Sequence, residues 1–268
     1  MKQELHLKRM AILITSKCTL KCKLCLSYSP YYEPQRHTDL DYLKRAFKSF
    51  FSMVDSVDIF TLSGGEPLMH PHLVDIYKML FLYENQINKS VDMVINSTLL
   101  LKDDLLDFLE LKKDKIKIIL SDYGNGLSPK IDENIELLKK RNIVYRISRF
   151  NGDNLYYDGW IDFTDHSIKW NTVEERDSNA SKCMQRVGKY FIINEGEIHC
   201  CSRGFWRSYN NIIPKIKGEY VDLLNDDISV EEKQKDLRTM ISLTSSESCS
   251  RCPGFSNDLP RHYPAEQL

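Results

Sequence analysis

The chain has 268 residues, 42% of them hydrophobic and 28% charged, the composition of an ordinary globular protein. That length suits one large domain or two smaller ones, with roughly 70–75% of the unfolded surface buried on folding. Thirty-seven basic residues against 38 acidic leave a net charge of −1, which gives no ground for nucleic acid or an anionic membrane as partner.

The N-terminus, MKQELHLKRM, lacks the apolar stretch of a secretory signal. Apolar runs such as 10–14 fall far below the ~18 residues a spanning helix needs, so a cytoplasmic location is expected. Strands are predicted at 10–15, 57–62, 91–96, 116–121 and 143–147, with a sixth at 160–163. Each is short, apolar and rich in β-branched residues, as parallel strands covered on both faces are. Helices are predicted between them. Thr38-Asp39-Leu40-Asp41 resembles a capping box opening a helix that carries Leu43, Phe47 and Phe50 on one face. Pro71 is placed to open the next, with Leu73, Ile76, Met79 and Leu80. Stretches 105–111 and 131–140 complete the series. Repeated βα units numbering five or six imply an α/β fold built as a partial (β/α)6 TIM-like barrel over 1–168.

Beyond 168 the pattern changes. Residues 171–181 read as a polar linker. Two strands, 190–194 and 197–201, flank the hairpin signal Glu195-Gly196. Residues 222–242 read as mostly helical and 244–268 as loop. This segment, 169–268, has little apolar periodicity yet holds five of the eight cysteines, the mark of a small domain held by metal.

Eight cysteines without an export signal point to metal or redox chemistry rather than disulfides. Cys18-Thr-Leu-Lys-Cys22-Lys-Leu-Cys25 follows the first strand directly. Three thiolates at this spacing suit a zinc site closed by a distant fourth ligand, or an iron–sulfur cubane with one iron left open. Ser63-Gly64-Gly65-Glu66-Pro67 follows the second strand. Read alone it is a Gly-Gly turn permitting close backbone approach.

Together the two motifs resemble the radical S-adenosylmethionine (radical SAM) superfamily over roughly residues 8–165. The resemblance implies a 4Fe-4S cluster on Cys18, Cys22 and Cys25, with S-adenosylmethionine on the open iron. It implies that Gly64, Gly65 and Glu66 bind the methionyl amino group and that Leu24 packs on the adenine. Asn96, where many members carry an Asn-Gly turn, and Ser121 at the end of the fourth strand are further candidates for cofactor contact; both are also ordinary turn residues. The implied chemistry is hydrogen abstraction from an unactivated C–H bond by a 5′-deoxyadenosyl radical.

Cys249-Ser-Arg-Cys252, Cys183 and the adjacent Cys200 and Cys201 remain. Four thiolates from these segments suit zinc or a second cubane. The layout resembles the twitch form of the SPASM extension, in which a hairpin glycine precedes a ligand cysteine by five positions. Gly196 fits Cys201 in that way, and the implied ligands of an auxiliary 4Fe-4S cluster are Cys183, Cys201, Cys249 and Cys252. Cys200 is left over. Strand alternation sends it to the opposite face from Cys201. It is there either a small buried hydrophobe or, as in some radical SAM epimerases, a catalytic hydrogen donor to a substrate radical.

The twitch layout is similar to that of a radical SAM aminocyclitol dehydrogenase of butirosin-type aminoglycoside biosynthesis. That similarity implies a small polar, sugar-like substrate and carbinol oxidation with the auxiliary cluster as electron acceptor. Epimerisation of a sugar and peptide modification are the alternatives; only 17 residues precede Cys18, which leaves little room for a leader-binding domain. A cluster-bearing scaffold without turnover is disfavoured by Gly64-Gly65-Glu66. Residues 155–160 (LYYDGW) are expected near the barrel mouth, as a stacking surface for a sugar or as a hydrophobic lid. His70, His72 and His199 are expected to be capping or surface residues. Lys2, Lys8, Arg9, Lys17, Lys21 and Lys23 against Glu4 give residues 1–25 a net charge of six minus one, +5. That is a solvated face or a docking surface for a flavodoxin- or ferredoxin-type electron donor.

Overall fold

The computed structural model describes residues 4–268, so the expectation resting on Lys2 lies outside the described residues. Five parallel strands come first: β1 (His6–Leu13), β2 (Ser56–Ser63), β3 (Ile87–Ile95), β4 (Ile116–Asp122) and β5 (Tyr145–Arg149). Then follow β6 (Tyr190–Asn194), β7 (Glu197–His199) and β8 (Tyr220–Asp222). Among the described residues these form one sheet in the order β5-β4-β3-β2-β1-β6-β7-β8, mostly parallel and not closed into a barrel. It is the α/β, partial-barrel fold expected from the repeated βα units.

The sixth parallel strand is not where the sequence put it. β6 runs parallel to β1 on the side away from β2, with Met10 opposite Phe191 and Ile12 opposite Ile193. Residues 160–163 make only an isolated antiparallel bridge, Trp160 to His262. Their apolar spacing serves packing: Ile161 and Phe163 are buried beside Tyr28 and Trp206 without a neighbouring strand. At the hairpin turn Glu195 and Gly196 both have positive φ, 48° and 79°, the backbone that a two-residue turn with right-handed twist requires.

Four helices connect the parallel strands: α1 (Leu40–Met53), α2 (Leu73–Phe81), α3 (Asp103–Leu111) and α4 (Ile131–Lys140). Asp39, not Thr38, caps α1 by accepting from the Asp41 N–H at 2.8 Å. The Thr38 hydroxyl instead donates to the Leu13 carbonyl at 3.3 Å. Helix α2 begins two residues after Pro71. Farther along are α5 (Val173–Ala180), α6 (Met184–Val187), α7 (Ser202–Tyr209) and α8 (Val230–Ser242). The expected linker is therefore largely helix α5, opened by a capping box between Thr172 and Glu175 that outweighs its polar composition. The expected helix from 222 splits into strand β8 and helix α8.

Alternation divides the core. Ile12 and Ile193 join the large cluster under the helices, with Phe47, Phe60, Tyr77, Leu106 and Met240. Their neighbours Leu13 and Ile192 join a second cluster with Tyr28, Phe163 and Trp206 on the other face. Each fully buried Phe or Leu contributes about 1.5–3 kcal/mol through burial. No described helix is long and apolar enough to cross a membrane.

Candidate active site

The chain after β2 lies backbone on backbone against the chain entering the cysteine loop. Gly65 N–H donates to the Thr15 carbonyl at 2.7 Å and Glu66 N–H to that of Lys17 at 2.9 Å. A Cβ on Gly64 would stand 2.4 Å from the Thr15 oxygen, and one on Gly65 2.2 Å from the Lys17 oxygen. Gly64 also holds φ at +154°. Only glycine satisfies both positions. The Glu66 carboxylate, fully buried, accepts from Leu68 N–H at 3.0 Å and Asn96 N–H at 2.7 Å. Burial nonetheless pushes its carboxyl up to about 7. Asn96 turns its amide toward the loop, donating to the Thr19 hydroxyl at 3.0 Å, with the Cys18 sulfur at 3.6 Å. The ends of β1, β2 and β3 thus bring Cys18, Gly64, Gly65, Glu66 and Asn96 together. Ser121 is buried at the end of β4, its carbonyl tied to that of Asn96 through the Ser128 hydroxyl.

Cys18, Cys22 and Cys25 pack in one small cluster with Leu20, Tyr123, Trp160 and Ala265. Burial raises all three thiols, Cys18 to about 12 and Cys22 to about 11, and the charge of Cys25 further opposes ionisation of the other two. Three sulfurs brought together by one loop are a donor set that suits a metal centre, whose positive charge would offset the cost of ionising them. Two partners of this loop were not legible in the sequence. Tyr123 lies against the cysteines and stacks on Phe150 at 5.2 Å. The chain end pairs with the loop: Lys23 N–H donates to Glu266 O at 2.8 Å, Leu268 N–H to Lys21 O at 2.9 Å, and the Gln267 amide to the Cys22 sulfur at 3.4 Å.

Beside this loop opens a cavity of about 210 Å³. Leu24 lines it, as do Phe150, Tyr156, Trp160, Phe163 and Phe255. Residues 155–160 do reach this mouth, but the wall they build is aromatic, and Asp158 is not part of it.

The second thiol set shares another, smaller cavity. Cys183, Cys201, Cys249 and Cys252 all line it, with Arg186 and Arg203. Cys183 precedes α6, and Cys201 caps α7, its sulfur accepting from Gly204 N–H at 3.4 Å. Arg207, fully buried on α7, grips the turn that carries the last two cysteines. Its Nη1 donates to the Ser248 carbonyl at 2.6 Å and its Nη2 to that of Arg251 at 2.8 Å. Burial pushes the Cys201 thiol up, but Arg203, the Gly204 N–H, Arg207 and Arg186 outweigh it and hold the thiol below its ordinary value. Among the described residues no three ligating side chains close to single-ion spacing. Four thiols around one cavity, with basic residues beside them, fit an anionic thiolate-bound cluster.

Cys200 is elsewhere. It is buried in the main core with Phe191, Ile198 and Met240, and its thiol is pushed up to about 12 by burial. Cys200 lines neither of these two cavities. Two histidines are buried rather than on the surface, although His70 also accepts from the His72 N–H at the start of α2, as a capping residue would. His70 is buried, its Nε2 3.1 Å from the Thr38 carbonyl, and His199 is buried with its Nε2 3.0 Å from Glu197. Each has a polar partner, which makes burial inexpensive.

Residues 12–144 match the Radical SAM superfamily. No curated protein sequence matches the chain. Among solved structures, BtrN in complex with AdoMet and 2-DOIA aligns with a TM-score of 0.54 at 14% identity, covering 99% of this chain and 100% of that one. His-tagged anSMEcpe with bound AdoMet aligns at 0.54 and 13%, covering 95% and 86%. Streptococcus suis SuiB aligns at 0.50 and 13%, covering 99% and 77%. Against anSMEcpe with AdoMet and a peptide the alignment is shorter, 53% of this chain and 42% of that one. At such identities the likeness is one of fold.

Proposed function

From a radical SAM superfamily domain over residues 12–144, we propose an oxidoreductase that takes hydrogen from a substrate C–H bond and passes the remaining electron to a second iron–sulfur cluster, the accompanying proton leaving to solvent. The observation that carries the second half is the single cavity shared by Cys183, Cys201, Cys249 and Cys252. Cys18, Cys22 and Cys25 would hold the first cluster and leave one iron open; the second set leaves none, which suits an electron acceptor. When bound, S-adenosylmethionine supplies a 5′-deoxyadenosyl radical on one-electron reduction. This chain's residues bind, orient and exclude water. Gly64 and Gly65 bring backbone to the open side of the loop, Glu66 and Asn96 fix the ends of β2 and β3 around it, and Ser121 supports the end of β4. Leu24 would pack on the adenine, and the aromatic side chains that share its cavity would meet the substrate. Residues 1–168 would form the catalytic barrel and 169–268 the twitch-type electron-accepting part.

The cavity bears on the substrate. Buried hydroxyls and amines need partners, at a cost of about 1–3 kcal/mol for each left unmatched. Apart from the phenol hydroxyls and the Trp160 indole N–H, the side chains lining it are hydrocarbon. A substrate that presents an aromatic or aliphatic group, as a peptide side chain does, therefore fits better than a bare aminocyclitol. The sugar-like alternative draws support from the full-length fold match to BtrN, solved with 2-DOIA. Placement of Cys200 in the helix-facing core favours oxidation over epimerisation. Lys21 and Lys23, exposed on the loop, offer the flavodoxin- or ferredoxin-type donor an acidic-partner surface, although Lys23 already lies 3.7 Å from Glu266.

The experiment is anaerobic reconstitution followed by dithionite-dependent release of 5′-deoxyadenosine, with two panels as stimulants. Greater release with aromatic-bearing peptides than with aminocyclitols supports the proposed substrate class, and the reverse order favours the alternative. A colourless zinc protein releasing none overturns the proposal.

A further inference from the structure

Three arginines are buried around the second thiol cavity, and two of them spend their donors on the chain. Arg186 Nε donates to Thr244 O at 3.0 Å and its Nη2 to Leu243 O, while Arg207 binds the carbonyls of Ser248 and Arg251. Arg203 does not. It is 1% exposed, its Nη2 donates to Gln185 Oε1 at 2.6 Å, and its guanidinium lies over the Phe163 ring at 4.3 Å. Its Nε and Nη1 have no partner, and it lines the cavity with all four cysteines. A buried guanidinium with two unmet N–H groups is expensive unless an anion faces it. The ring face, Gln185 and its seat on α7 fix the charge where it is, so the cavity is where that anion belongs.

We propose that Arg203 is the fixed counter-charge of the group held by Cys183, Cys201, Cys249 and Cys252, and that it raises that group's reduction potential. The inference rests on the two-cluster function proposed above. A thiolate-bound cluster gains one negative charge on taking an electron, with no bond made or broken. A cation fixed in a low-dielectric wall favours that reduced state more than the oxidised one, and hydrogen bonds to sulfur act in the same sense. Arg203 therefore acts through the cluster as a positioning residue: it makes the second site a better acceptor for the electron left on the substrate.

The test is an EPR-monitored redox titration, in mediators and dithionite, of the reconstituted full chain. Arg203→Gln is expected to keep about eight irons per chain while the second cluster's reduced-to-oxidised ratio at fixed potential falls at least tenfold, 59 mV for a one-electron couple. The first cluster's potential is expected to stay put. Arg203→Lys keeps the charge without the planar fork, and is expected to lose less than half of that shift. A Gln variant with full iron and an unmoved second potential overturns the inference. So does a Lys variant that falls the full tenfold, which also decides the matter should the Gln variant fail to fold. A wild type holding about four irons and one zinc is a different failure: it removes the two-cluster function itself, since there is no second potential to measure.

Discussion

The Gln267 side chain reaches back across almost the whole chain to donate its amide to the sulfur of Cys22, at 3.4 Å. With the backbone pairs of Lys21 and Lys23 to the same segment, it straps the cysteine loop from outside. Removing one such bond costs about 0.5–1.5 kcal/mol. Gln267→Ala is expected to speed the bleaching of the reconstituted first cluster in air by roughly two- to tenfold, followed by its brown absorption, with little change in thermal midpoint. Equal bleaching rates would show that the strap is ornamental.

The glycine pair makes a sharper prediction. Gly65→Ala places a Cβ 2.2 Å from the Lys17 carbonyl oxygen, and both are main-chain positions that cannot swing aside. The β2 end must then lift from the loop. A loss of at least about 2 kcal/mol in unfolding free energy is expected, together with loss of S-adenosylmethionine binding by calorimetry. A variant with wild-type stability and binding would mean that the loop tolerates separation.

How much of this was readable beforehand differs from residue to residue. The β1 to β5 strands declared themselves through β-branched apolar runs, and both cysteine sets through spacing. The register of β6 on β1 did not, because hydrophobic alternation marks a strand without naming its neighbour. The pattern at 160–163 misled for the same reason: Ile161 and Phe163 are apolar because they bury against Tyr28 and Trp206, not because they pair. Polar composition hid α5, where a capping box decided the outcome. Arg203 and Arg207 look like surface charge in the sequence; the thiol cavity accounts for the burial of the first, and the carbonyls of Ser248 and Arg251 for that of the second. Tyr123 and Gln267 had no local signal at all, since their partners are brought in by the closure of the fold.

Glu66 predicts a pH dependence. Its carboxyl is raised from an ordinary 4.5 to about 7 by burial. The folded chain therefore binds this proton more tightly than the unfolded chain does, and stability falls as pH rises between the two values. The contribution is fully present below about 4.5 and gone above about 7, with an amplitude of roughly 3 kcal/mol. Urea unfolding of the metal-free chain should show that decline, and Glu66→Gln should flatten it. A wild-type profile that is already flat across this window would contradict the burial penalty.

Arg207 holds the turn of Cys249 and Cys252 by two carbonyls. Hydrogen bonds from a charged donor are worth about 1.5–3 kcal/mol each. Arg207→Met is expected to retain dithionite-dependent cleavage of S-adenosylmethionine at the first site while its iron content falls toward half of wild type. Full iron in this variant would show that the turn stands without its arginine.

The most direct check on the whole account is the metal content of the anaerobically reconstituted protein, wild type beside Cys249→Ala/Cys252→Ala. Two thiolate-bound cubanes predict about eight irons per chain in the wild type and about four in the double variant, with no zinc in either. About four irons and one zinc in the wild type, with the zinc lost in the variant, would contradict it.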